Sequence, residues 1–303
     1  MHVAHLLSLS VPVLFCACDE SETSPGTSAS DTSIEADADT DTDTDTDTDT
    51  DTDTDTDVDT DADVDADTGI DPSLIVFEED FESTAVGSEP AGWDNFVGWV
   101  VNNGNNNQGA SVYAVVDDDR AEEGSHSLHV VGGSNPAMIT KTLPDALSRV
   151  YVRAWVWSSE QLGQSPGRNH ETLIALRASS GSASNEVRFG EIKGVIGTNE
   201  VPTDDISPKY EAWGRGPIIS PDGWRCIEVA FLADRSPHEV RAWADGVMVH
   251  EITSEDDWNN RVLGDEFLDG KFGEIVIGWH SFSNLSNEVW FDDVVVATDR
   301  IGC

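Results

Sequence analysis

Between Val150 and Trp157 the chain places Tyr151, Arg153, Trp155 and Trp157 at alternate positions, with Val150, Val152, Ala154 and Val156 in the gaps. A period of two sends these sets to opposite faces of a strand. Planar rings beside a guanidinium are suited to a sugar, whose ring faces are apolar and whose edge carries hydroxyls. Similar chemistry stands opposite aliphatic positions elsewhere. Glu228 lies between Ile227 and Val229, and Trp243 follows Val240 and Ala242. Together with Arg188, Asn199 and Trp279, these give eight candidate carbohydrate-contacting residues: Tyr151, Arg153, Trp155, Arg188, Asn199, Glu228, Trp243 and Trp279. The alternative is that a loop or a chain end covers this face and turns it into a second, smaller core.

These side chains need rigid strands behind them. Alternating or apolar runs predict strands at Ile75–Phe81, Ser127–Val131, Val150–Trp157, Thr172–Arg177, Glu186–Phe189, Trp224–Phe231, Glu239–Ala244, Val247–Ile252, Glu274–His280 and Glu288–Ala297. Asp245-Gly246 reads as the tight turn of a hairpin. Turn signals recur at short intervals and no long helical pattern is present, so the expectation is all-β. About 230 residues can build one large two-sheet antiparallel jelly-roll sandwich with a real core. Aliphatic faces fill its interior, and the aromatic and charged faces line a concave trough.

The N-terminus has a different character. Leu6–Phe15 has the length of a signal-peptide apolar core and is too short to span a bilayer. Ala17-Cys18 resembles a bacterial lipobox, which predicts a signal peptide over 1–18 and an acylated Cys18. From Asp19 to Pro72 there is no basic and no aromatic residue, and Thr40–Asp57 is a strict Thr–Asp alternation. Repelling charges with nothing apolar to offset ordering entropy predict an extended, disordered linker over 19–72. The folded domain is expected over 73–303, exported and lipid-anchored in a bacterial envelope, facing the periplasm or the cell surface.

The chain carries 59 acidic and 16 basic residues. Of these, 22 acids and no bases precede residue 73, which leaves the remainder at 37 against 16, a net charge of −21. Such a domain is repelled by phosphate backbones and anionic lipid. Nucleic acid is therefore not expected as a partner, membrane contact is expected only through the anchor, and the domain is expected to be a monomer. In an oxidising compartment Cys226 and Cys303 predict a disulfide closing the chain's last residue onto a mid-domain strand.

Several short motifs occur in a recognisable order. Glu79-Asp80-Phe81-Glu82 precedes Gly87, Pro90, Gly92 and Trp93. Ala121-Glu122-Glu123-Gly124-Ser125-His126-Ser127-Leu128 follows, then Trp224-Arg225-Cys226-Ile227-Glu228, Val240–Gly246, Trp290-Phe291-Asp292-Asp293-Val294 and the terminal Ile301-Gly302-Cys303. Over about residues 75–303 this order resembles bacterial lipoproteins related to the fungal cellulose-induced, polysaccharide-lyase-like proteins, with a concanavalin A-like jelly roll. The resemblance implies a polysaccharide-facing groove and a structural Ca2+ held best by Glu82 and Asp293. Asp80, Asp292 and carbonyls of Glu123–Ser125 could complete a hard-cation site.

Polysaccharide binding is the primary functional expectation, and β-elimination on uronic-acid polymers is the alternative. A lyase must neutralise a carboxylate, remove the adjacent proton and protonate the leaving oxygen. Arg153, Arg188 and Asn199 are candidate neutralisers, and Tyr210, His170 and His280 candidate bases. A hydrolase would need two carboxylates about 5 to 9 Å apart. Glu191 and Glu228 are the available pair, without the strand-borne pattern of jelly-roll glucanases.

Overall fold

The computed structural model describes residues 70–103, 110–163, 170–178, 186–192, 194–201, 219–258 and 271–303. The chain divides into two units, 1–60 and 61–303, and all described residues lie in the second. Lipidation at Cys18 and the candidate base Tyr210 fall outside the described residues.

Among the described residues a single 3-10 turn, Pro72–Leu74, leads into fifteen strands. In chain order they are β1 (Ile75–Glu79), β2 (Asp94–Val97), β3 (Val100–Val101), β4 (Tyr113–Asp117), β5 (Ser127–Gly132), β6 (Ala137–Leu147), β7 (Arg149–Ser158) and β8 (His170–Ala178). They continue as β9 (Glu186–Ile192), β10 (Val195–Val201), β11 (Arg225–Leu232), β12 (Glu239–Ala244), β13 (Val247–Ile252), β14 (Phe272–Ser281) and β15 (Asn287–Ala297).

The first sheet runs β13-β12-β11-β7-β15-β5-β4, with β1 also pairing with β15. The second runs β10-β9-β8-β14-β6-β2-β3. The strand pairs among the described residues are antiparallel. The molecule is an all-β two-sheet jelly-roll sandwich, as the strand pattern predicts.

One core lies between the sheets. Val150, Val152, Ala154 and Val156 of β7 are buried there with Ile227, Val229 and Phe231 of β11 and with Ile275 and Ile277 of β14. Each fully buried aliphatic or aromatic side chain of this kind stabilises the fold by about 1.5–3 kcal/mol. Asp245 and Gly246 both have positive φ, 48° and 78°. That is the backbone a two-residue hairpin between β12 and β13 requires, and Asp-Gly supplies it at little cost.

The strands that the alternation misses are β2, β3, β4, β6 and β10. β6 contains Pro144, which breaks a ladder donor, and β10 contains Gly197. In β4 all five residues are buried, so no solvent face marks its period.

Candidate functional site

Over β11 and β12 the outer face of the first sheet is covered by the protein's own C-terminus. The Cys226–Cys303 disulfide forms, with Cα atoms 5.8 Å apart. Beside it Glu228 is completely buried, and its carboxylate accepts the backbone N–H of Ile301 at 2.7 Å and of Gly302 at 3.1 Å. Ile301 packs on Val295 and Ala297 with Tyr151 at the margin. Trp243 is buried against Ala230 and Leu232, and the Arg300 guanidinium lies 4.3 Å from its ring centroid. Glu228, Trp243 and Tyr151 therefore hold the tail and do not line an open trough. The second-core alternative describes this part of the face.

Other candidates fall elsewhere. Trp279 is fully buried in the core between the sheets, its indole N–H donating to the Leu285 carbonyl at 3.1 Å. It faces inward because Ile275, Ile277 and Trp279 share one side of β14. Trp155 is half-buried and pairs across the ladder with Cys226. Glu191 and Glu228 sit on different sheets, each fully buried against backbone N–H groups, Glu191 accepting from Gly163 at 2.6 Å. They are not a hydrolytic carboxylate pair.

Arg153 reaches a separate cavity of about 590 Å3, lined also by Glu78, Glu79, Asp80, Ser83, Glu123 and Asp293. Strands β1 and β15 pair, so the two ends of the domain bring their carboxylates together here. Burial pushes the Asp293 carboxyl above its usual range, with Glu123, Asp80 and Glu82 adding repulsion and Arg153 opposing it. Burial raises Asp292 to about 7, although its carboxylate accepts the N–H of Glu122 at 2.7 Å. Glu82 accepts the N–H of Ser125 and of His126, each at 2.7 Å, and these bonds hold its carboxyl below the usual range. Carboxylate oxygens gathered in one cavity are the donor type that a hard divalent cation such as Ca2+ takes. Asp80, Glu123 and Asp293 line the space, and Glu82 stands beside it.

The second sheet's outer face gathers the remaining candidates. Arg188 on β9 and Asn199 on β10 are direct ladder partners, and Arg188 also pairs with Ala175 of β8. Val187, Phe189 and Ile196 point into the core, so Arg188 and Asn199 point away from it. Met138, Ala175 and Val276 form a small buried apolar cluster on this side, with Phe96 against them, and Asn199 is itself buried. Gly278 lets the strands pack closely here, since a Cβ there would stand 2.3 Å from the Ala137 carbonyl oxygen at a φ of +145°.

One end of this face is an ion-pair network. Arg177 donates to Glu186 at 3.0 Å and to Glu274 at 2.7 Å, and Arg188 donates to Glu186. The other end is a cluster of rings. His280 meets Trp99 edge-on at 4.8 Å and Phe282 at 4.0 Å, and His170 lies 4.2 Å from Phe282. The Arg188 guanidinium is 5.1 Å from the Phe282 ring. Trp99 is 54% exposed, a large apolar plane turned to solvent.

Burial lowers the His280 imidazole to about 4, and the charges of Arg188 and His170 push the same way. At neutral pH it is uncharged and able to accept a proton. Chemically, the exposed Trp99 plane can stack a flat apolar surface, and behind it a neutral imidazole is packed among rings near a guanidinium. Trp99 and Phe282 escaped the sequence reading, because neither lies in a clean alternating run. The strand-flanking Phe96-Val97-Gly98-Trp99 was the available signal.

The sequence from 89 to 299 matches the family model described as polysaccharide lyase-like, Cip1-like core domain. Among solved structures, the chain is similar to the cellulose-induced protein Cip1 at 23% identity and a TM-score of 0.53, covering 75% of this chain and 99% of that one. It is also similar to an endo-β-1,4-glucuronan lyase from Trichoderma reesei, at 15% identity and a TM-score of 0.41, with coverages of 74% and 96%. The alginate lyase Aly36B gives 9% identity and a TM-score of 0.46, with coverages of 75% and 99%. No curated protein sequence matches significantly. With its family model spanning well over half its length, the chain belongs to the Cip1-like family of polysaccharide lyase-like proteins.

Proposed function

We propose that this protein binds polysaccharide along the outer face of its second sheet while tethered to the bacterial envelope through Cys18. The observation that carries the reading is the assembly there of exposed Trp99 with ring-packed His280, Phe282 and His170 and the Arg188 guanidinium against Phe282. Trp99 and Phe282 supply stacking planes, and Arg188 supplies a donor for hydroxyls. The acidic stalk would hold the groove away from the membrane. Its 54 residues reach ~180 Å when fully extended.

A bound Ca2+ would be held by Asp293 with Asp80, Glu123 and Glu82, neutralising the junction of the first and last strands. Its contribution is to fold stability, away from the glycan face.

The lyase reading is kept alongside by one observation: His280 and Arg188 both pack against Phe282, at 4.0 and 5.1 Å. A base beside a carboxylate-neutralising group is the minimum that β-elimination requires.

One experiment separates the readings. The full chain is run through gels containing neutral and uronic-acid polysaccharides, and the same mixtures are assayed for ultraviolet-absorbing unsaturated ends. Retardation without product supports a binder, and product supports a lyase. If Trp99→Ala and Arg188→Ala migrate as the parent does on every retarding glycan, the groove assignment is wrong. Detergent-phase partitioning of the parent but not of Cys18→Ser tests the anchor.

A further inference from the structure

On the outer face of the first sheet, at the β4–β5 edge, is a cluster that neither the glycan face nor the acidic cavity uses. We propose that Asp117, Asp119 and His129 form a binding site for a borderline transition-metal ion of the Zn2+ type. One ligand atom from each lies within 4.8 Å of the other two. Asp117 is completely buried and His129 is 4% exposed, whereas Asp119 faces solvent. The trio thus has a fixed half and an open half through which an ion can enter.

The fixed half is held by its surroundings. Asp117 Oδ1 accepts the Trp290 indole N–H at 3.2 Å and the Asp119 backbone N–H at 3.3 Å, which turns Oδ2 toward His129 Nδ1. The imidazole is stacked on Trp290 with centroids 3.9 Å apart and planes 14° from parallel. The Tyr113 hydroxyl stands 3.4 Å from the same nitrogen.

The second observation concerns the far nitrogen. His129 Nε2 is buried without a hydrogen bond, and Glu288 Oε2 lies 3.6 Å from it. Both ring nitrogens therefore face carboxylate oxygen. A neutral imidazole has one proton, so either tautomer leaves one nitrogen lone pair opposed to a carboxylate. A positive charge resolves this, and an extra proton on Nδ1 would serve one oxygen only. A metal on Nδ1 would take an oxygen from Asp117 and another from Asp119, and would leave the Nε2 proton directed at Glu288. That is the carboxylate–histidine–metal arrangement in which an outer carboxylate sets the tautomer. One imidazole nitrogen with two carboxylates selects Zn2+ and its first-row neighbours over Ca2+, which prefers oxygen alone.

The test uses the full chain, stripped of metal and resupplied with excess Ca2+, then titrated with ZnCl2 by calorimetry and with CoCl2 by visible absorption. The Thr–Asp stalk is present in every variant and supplies a common background. The parent is expected to take up one equivalent of Zn2+ above that background and to develop Co2+ ligand-field bands. Asp119→Asn, a surface change that leaves the buried pair intact, is expected to weaken uptake at least about tenfold, and His129→Gln to abolish it. Identical Zn2+ isotherms for the parent and Asp119→Asn, or Co2+ spectra that remain those of the hydrated ion, would overturn the site.

Discussion

The two outer faces of this sandwich are built from similar residues and meet opposite fates. Each carries tryptophan, arginine and glutamate opposite an aliphatic core face. On the first sheet, Glu228 spends its carboxylate on the backbone of residues 301 and 302, and Arg300 covers Trp243. On the second sheet, Arg177 and Arg188 pair with glutamates of their own sheet, and Trp99 remains 54% exposed. Composition alone does not make a groove: a buried carboxylate needs donors, and whichever segment supplies them closes the surface above it.

The comparison breaks most readily at the tail. Replacing Cys303 with Ser opens a loop spanning 77 residues and should lower unfolding free energy by about 4 kcal/mol on the loop-entropy model. Denaturant titration checks it, and glycan retardation under native conditions should not change. Glu228→Ala removes the acceptor from two backbone donors and should cost about 2–3 kcal/mol, again without affecting glycan mobility. If either variant loses glycan binding while folded, the first sheet is not sealed off from the site.

Acid sharpens the contrast in another way. Burial lowers both His250 and His280 to about 4, so the unfolded chain binds more protons than the fold between about pH 6.5 and 4. The stability held by their neutral forms is complete above pH 6.5 and is lost as pH falls toward 4. Moving from pH 7 to 5 should cost on the order of 2 kcal/mol per histidine, and His280→Gln should flatten its share of that slope. Thermal melts across this range decide it.

The smallest effect expected is at the exposed Trp99 ring. Trp99→Ala should weaken glycan binding by about 1 kcal/mol, roughly fivefold, with little change in melting temperature. A large melting shift would mean that Trp99 is structural instead.

Much of the architecture was legible in local pattern. The alternation of Val150–Trp157 and of Trp224–Phe231 placed β7 and β11 and the inward identity of their aliphatic residues, because a period of two is a property of the strand itself. Asp245-Gly246 announced its hairpin, and Cys226 and Cys303 announced their bond. Asn199, Arg188, His170 and His280 were named individually, but nothing in their spacing linked them. They meet because β10, β9, β8 and β14 are neighbours in a sheet whose order differs from chain order.

What the sequence determined by itself was therefore the class of fold, the strand faces, the acidic stalk-like composition and the stock of chemistry-bearing side chains, all consequences of short-range periodicity and charge. Only the tertiary structure decided what covers the first sheet's outer face. Whether β11 is covered depends on where a chain end 73 residues beyond Glu228 comes to rest. Here the tail rests on β11, where Glu228 offers its backbone the acceptors that burial makes necessary.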